Sequence, residues 1–164
     1  ILAFPVPAFF DYASTRAAMW RERSIAAVRD AGRGADIAVF GVGAFSAPVA
    51  SHVYAGGYMS GEEVLRLRRD GVVGDVCTVL VRGNGSYADI EINSRASGPT
   101  PAELGRIPRR ICVAAGPAKA TALAGVLRSG AVTDLIVDDE CARRVVEENE
   151  RRWHARSGHA GIAE

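Results

Sequence analysis

Lysine is almost absent from this sequence. Nineteen of its twenty basic residues are arginine and Lys119 stands alone, which marks that position. No charge sign dominates: a formal net charge of +1 gives no global field to recruit nucleic acid or an anionic membrane. No apolar run approaches the length of a membrane-spanning helix, and the start of the chain has no basic segment ahead of a long apolar one. Cysteine is scarce. Cys77, Cys112 and Cys141 are odd in number, widely separated and without metal-ligand spacing. Buried reduced thiols are the expected state, which points to a cytoplasmic protein without a metal site. His52, His154 and His159 form no motif, so no catalytic residue is assigned. Gly41-Val42-Gly43 lacks the longer glycine pattern of a dinucleotide fingerprint, and the Gly-Lys-Ser/Thr of a phosphate loop is missing, so no cofactor is expected. Repeats and low-complexity tracts are absent as well.

What is present is an ordinary globular composition, 48% hydrophobic and 24% charged, in a length of 164 residues that suits one domain or a fragment of a larger one. The organising stretch is Asp36–Gly43, DIAVFGVG. Its uninterrupted apolar run, Ile37–Phe40, reads as a parallel strand covered on both faces. Gly41 and Gly43 at its end serve either a tight turn or the close approach of a ligand.

Around this strand the periodicity predicts a single helix over Asp11–Asp30, capped by Ser14 or Asp11 and ended by Gly32 and Gly34. Ile1–Phe10 reads as a strand ended by Pro5 and Pro7, and Ala44–Tyr54 as a loop. Ser60 and Glu63 form a capping box for a helix that runs to Asp70, whose Arg66-Leu67-Arg68-Arg69 cluster is a solvated face. Gly74-Asp75 leads into a strand over Val76–Val81. Gly83-Asn84-Gly85 then signals a hairpin turn with Tyr87–Ile92 as the half-exposed return strand. Thr100-Pro101 opens a short helix. Arg110–Ala115 is a strand, Ala118–Arg128 a helix, Leu135–Val137 a strand, and Asp138 or Asp139 caps a last helix from Glu140 to about Arg152. These elements predict an α/β fold, a doubly wound and mainly parallel sheet with a β-hairpin extension at its edge. Residues 1–152 form the domain and 153–164 a flexible tail.

Gly43, Asp75, Asn93, Arg95, Gly116 and Lys119 fall at strand ends or in connecting loops, where an open α/β sheet gathers its ligand. Arg95 and Lys119 are suited to a phosphate or carboxylate. The turn through Gly116 offers helix-start N–H groups to an anion, or is a plain strand–helix connection. Asp75 is suited to sugar hydroxyls, to work as a base if desolvated, or to a turn. Asn93 and Arg95 share a face if extended, or belong to a surface loop.

Taken in order, DIAVFGVG, then GGYMSGEEVLRLRRDGVVGDVCTVLVRGNGSYADIEINSRASG, then ELGRIPRRICVAAGPAKATALAGVLRSGAVTDLIVDDECA, this chain resembles the sugar-binding domain of SorC-type, DeoR-related bacterial transcriptional regulators. The likeness runs from Ile1 to Val146. It rests on Gly-Val-Val-Gly-Asp, on Asn-Ser-Arg after the hairpin and on Ala-Gly-x-x-Lys. It implies a fold related to ribose-phosphate isomerase, glucosamine-phosphate deaminase and CoA-transferase. It implies a phosphorylated sugar as effector, a homo-oligomer, and contact with DNA only through a helix-turn-helix that is not in this chain. The six residues above are the implied pocket, with Arg16 as a further candidate. The likeness also implies that a Gly-Thr-Thr-like phosphate loop precedes Ile1 in the family, which places Ile37–Phe40 near an edge of the sheet. Departures from the pattern are Asp138 where Thr is usual and Pro117 where Gly is frequent. The alternatives are a sugar-phosphate isomerase or deaminase with Asp75 as base, and a truncated, non-binding paralogue that acts by pairing with full-length subunits.

Overall fold

The computed structural model describes residues 1–45 and 51–157, with backbone alone for His52, Ala55 and residues 155–157. Pro48 and His159 lie outside the described residues. Five strands form one sheet in the order β3-β2-β1-β4-β5. They are β1 (Ile37–Ala44), β2 (Val72–Val76), β3 (Val79–Arg82), β4 (Arg109–Ala114) and β5 (Asp134–Val137). β1, β4 and β5 are parallel, while β2 and β3 form an antiparallel hairpin beside β1. The sheet is therefore mixed, with a parallel part and a hairpin extension.

β1 is the third strand of the five, but its Ile37–Phe40 run lies at the edge of the parallel part, and the strand is longer than that run. Ile37–Gly41 pair with β4, and Val42–Ala44 pair with β2. Among the described residues, Ile37–Gly41 have a strand on one side only. The β2–β3 hairpin turns at Cys77-Thr78, whereas Gly83–Gly85 makes a tight turn, with Gly85 N–H donating to the Arg82 carbonyl at 2.8 Å, that leads into no return strand. Val76 pairs with Val79 across a two-residue turn whose residues both have positive φ, 48° and 71°. Thr78 is β-branched and sits there under strain. The turn is held from outside: Gly98 N–H donates to Thr78 Oγ1 at 3.0 Å, and a Cβ at Gly98 would collide with the Cys77 carbonyl.

Tyr87–Ile92 is not a return strand. Glu91–Arg95 forms a 3-10 turn, and the Asn93 side chain occupies the edge of β3 instead. Asn93 Oδ1 accepts from Leu80 N–H at 2.8 Å, and Nδ2 donates to the carbonyls of Leu80 and Tyr87 at 2.9 and 3.0 Å. One amide side chain thus satisfies the backbone that a strand would have paired.

The helices divide by face. α1 (Ala13–Met19) and α2 (Arg23–Arg33) replace the single expected helix. The break places Trp20 against Phe4 and Phe10, with ring centroids 5.7 and 5.4 Å away, and the guanidinium groups of Arg16 and Arg29 lie 4.8 and 4.9 Å from its ring. α1 begins after Tyr12 without a side-chain cap. α3 (His52–Ala55) and α4 (Gly61–Arg69) follow β1, and α4 keeps its Ser60–Glu63 capping box. α5 (Pro101–Leu104) has a second box from Thr100 and Glu103. α6 (Ala120–Arg128) is small-sided and buried, and it packs on β1, β2 and β3. α7 (Asp139–Ser157) lies on α6 and continues past Arg152, so residues 153–157 are helical.

Two cores result. One is centred on Val76, Val81, Cys112, Leu123 and Val126 under α6. The other, around Phe9, Met59, Leu67, Leu80 and Ile92, lies on the opposite side of the hairpin. The parallel strands are covered on one face only among the described residues. On the other face Ile37, Val39, Val113 and Ile136 are exposed, although the apolar run had predicted cover on both. Replacing Asn93 by Ala would leave the buried Leu80 N–H unpaired. A loss of about 2–3 kcal/mol is expected, read as a lower midpoint in urea unfolding.

Candidate ligand-binding site

Asp75 stands in the middle of β2, directly across from Gly43 in β1. It is 5% exposed and is the one buried charged residue among those described. The sheet makes room for it. A Cβ on Gly43 would overlap the Asp75 carboxylate, and one on Gly74 would strike the Gly43 carbonyl and Ala122 of α6. Gly43 therefore serves close approach within the protein itself.

Burial pushes the Asp75 carboxyl up from its ordinary 3.8 to about 6. The Tyr54 hydroxyl, the Ser51 hydroxyl, the Thr78 N–H and the charge of Lys119 all favour the carboxylate, but do not offset desolvation. Ser51 Oγ donates to Asp75 Oδ1 at a long 3.4 Å. Tyr54 interacts electrostatically with Asp75, yet its buried hydroxyl makes no well-formed hydrogen bond. Burial and the neighbouring carboxylate push its pKa far above the ordinary value. A buried carboxylate and a buried phenol hydroxyl thus lie side by side. Ser51 and Tyr54 carried no signal in the sequence beyond lying in a stretch of few charges.

Lys119 ends the 3-10 turn Pro117–Lys119 at the start of α6, and its charge reaches Asp75, Cys112 and Cys141. Gly116 precedes the turn at φ 94°, a conformation that favours glycine. Its N–H is already engaged: it donates to Asp138 Oδ2 at 2.5 Å, while Cys141 N–H donates to Asp138 Oδ1 at 2.9 Å. Asp138 thus caps α7 and ties it to the Gly116 turn. These hydrogen bonds hold its carboxyl below the ordinary range.

Gly43 and Asp75 adjoin, Lys119 reaches Asp75, and Gly116 lies three residues before Lys119. Asn93 and Arg95 belong elsewhere. Asn93 spends its amide on β3, and Arg95 lines a separate polar cleft with Arg66, Arg82 and Asp89, where its guanidinium donates to the Asp11 carbonyl at 3.4 Å. The 3-10 turn separates them from the sheet register that a strand would have given. Arg16 donates to the Ala96 carbonyl at 2.6 Å and stacks on Trp20. The three cysteines are free, and burial pushes Cys77 up to about 12 and Cys112 to about 11, so both stay protonated thiols. No group of three His, Cys, Asp or Glu among the described residues is arranged to hold a metal. No helix among them is long and apolar enough to cross a membrane.

Because the folded state raises the Asp75 pKa, it holds a proton that the unfolded chain has released between pH 4 and 6. This contribution to stability is fully present below pH 4 and is lost as pH rises through about 6. The displacement corresponds to about 3 kcal/mol. Asp75→Asn is expected to flatten that part of the stability profile, measured by chemical denaturation from pH 4 to 7.5 against the unsubstituted chain.

The family model described as "Putative sugar-binding domain" matches residues 2–147. The transcriptional regulator LsrR of Enterobacter sp. (strain 638) is 31% identical over 143 residues, covering 87% of this chain and 44% of that protein. The deoxyribonucleoside regulator of Bacillus subtilis is 30% identical over 144 residues, 88% of this chain and 45% of that protein. The chain thus spans less than half the length of these relatives. Among solved structures, a domain of a possible sugar-binding transcriptional regulator from Arthrobacter aurescens TC1 is 46% identical with a TM-score of 0.77, over 87% of this chain and 54% of that one. The full-length sorbitol operon regulator SorC of Klebsiella pneumoniae, at 22% identity and a TM-score of 0.73, shares the fold. By the match across nearly its whole length, this chain belongs to the family of sugar-binding domains found in bacterial transcriptional regulators.

Proposed function

We propose that this chain is the ligand-sensing part of a sugar-responsive transcriptional regulator and that it binds a phosphorylated sugar without transforming it. The observation that carries the reading is the Asp75–Tyr54 pair. A buried carboxylate beside a phenol without a well-formed hydrogen bond costs stability, whereas sugar hydroxyls would use both. In this reading Asp75 and Tyr54 address the hydroxyls. Lys119 supplies the point charge for the phosphate, and Gly116 its backbone N–H. Asp138 competes with the phosphate for that N–H. Binding favours one arrangement of the regulator's subunits, and the grip on DNA changes by linkage.

The Asp75 carboxyl, with its pKa near 6, also has the affinity of a general base. That property favours a second reading, a sugar-phosphate isomerase or deaminase on the related fold that the sequence likeness implies. An aldose–ketose conversion assay separates the two: turnover abolished by Asp75→Asn would replace the sensing reading.

A thermal-shift screen of aldose and ketose phosphates is expected to raise the melting temperature with at least one member. Lys119→Ala should then weaken binding at least tenfold, and Arg95→Ala should leave it unchanged. No stabilisation by any member would sink binding by this chain. Asp138→Ser keeps a capping oxygen for α7 while removing the competing charge. It should tighten phosphate binding about tenfold in calorimetry with the sugar phosphate found in the screen.

A further inference from the structure

The last helix carries a stripe that nothing covers among the described residues. In α7, Cys141 is buried and Val145 packs against the core under α6. A little over a quarter-turn round the helix, Val146 and Trp153 stand on one face, 57% and 70% exposed. A tryptophan on a helix surface is a large apolar area left in water, of the kind that marks a contact. Arg143 and Glu150, spaced as Val146 and Trp153 are, border the stripe on its outer side. Arg143 is paired with Asp139 of its own helix in an exposed contact, and Glu150 has no ion pair among the described residues. Glu150 and Trp153 lie past residue 147, where the family match ends, so half of the stripe stands outside the shared domain.

The charges around the stripe select its occupant. Arg143 and Glu150 stand nearly equidistant from Val146, one toward each end of the helix. Two copies of α7 laid antiparallel set Val146 against Val146 of the partner subunit. Arg143 then faces Glu150 of the partner subunit, and symmetry repeats the pair on the other side of the axis. Trp153 reaches Ala142 of the partner subunit, a half-buried residue on the same face as Val146. A parallel pairing would instead set arginine on arginine and glutamate on glutamate. A patch that complements itself about a two-fold axis is what an isologous contact requires. We infer that a second copy of this chain docks on the Val146–Trp153 stripe through an antiparallel, two-fold α7–α7 contact. α7 has 19 residues and is about 28 Å long. A helix pair of that length falls short of the roughly 800 Å² per partner of a standard interface, so the dimer is weak and reversible.

The test is sedimentation of the 164-residue chain over a concentration series. A monomer–dimer equilibrium is expected, with a dissociation constant on the order of 10 μM. Trp153→Ser should leave a monomer. Arg143→Glu and Glu150→Arg, each alone, should weaken the dimer about tenfold. An equimolar mixture of these two variants should restore it, because both contacts then join opposite charges across the axis. Circular dichroism of each variant reports folding. If Arg143→Glu frays α7 beside Asp139, the double variant Arg143→Glu/Glu150→Arg decides the matter: a dimer as strong as that of the unsubstituted chain supports the contact, and a monomer overturns it. A chain that is monomeric at every concentration, or a dimer unaffected by Trp153→Ser, would overturn the inference. So would a mixture of the charge variants no more dimeric than either alone.

Discussion

A carboxylate buried in the middle of a β-sheet is the constraint on which this structure depends. Asp75 cannot be moved to solvent without shifting the register of β2, because successive side chains alternate between faces. Its neighbours therefore adapt to it. Gly43 gives up a side chain so that the carboxylate fits, Gly74 allows α6 to approach, and the strained Cys77-Thr78 turn brings an N–H to it. Strain there is tolerated because Gly98 presses against the turn and bonds to Thr78. The hairpin, its supporting loop and the first contacts of α6 are arranged around one costly group.

The parallel strands answer to a different requirement. Apolar on both faces, they obtain cover from α6 and α7 on one side and lack it on the other among the described residues. The hairpin is covered on both sides, by α6 beneath and by the Phe9–Leu67–Ile92 cluster above. The candidate ligand site falls where these two regions meet. β1 changes from parallel pairing with β4 to antiparallel pairing with β2 between Gly41 and Val42.

Lys119, the sole lysine, acts on Asp75, while Asp138 holds the N–H of Gly116, three residues before it. An anion placed there gains a cation and an N–H but faces a carboxylate already in possession of that N–H. The cap of α7 and the proposed phosphate position thus share a single side chain, Asp138.

Local chemistry determined much of this protein from sequence alone. The Ser60 and Thr100 capping boxes, the β1, β4 and β5 runs and the Asp138 cap were legible because each depends on residues within a few positions of one another. The ordered motifs also made the family legible. Tertiary structure decided the rest. Gly83-Asn84-Gly85 makes its turn, but no strand returns from it because Asn93 satisfies the edge of β3, and no local rule anticipates a side chain that replaces a strand. The pairing of Asp75 with Gly43, the placement of Tyr54 beside Asp75 and the distance of Asn93 and Arg95 from that pair depend on contacts between distant segments. So does the bare edge of β1: an apolar run states that a strand needs cover, but only the assembled sheet shows which side lacks it.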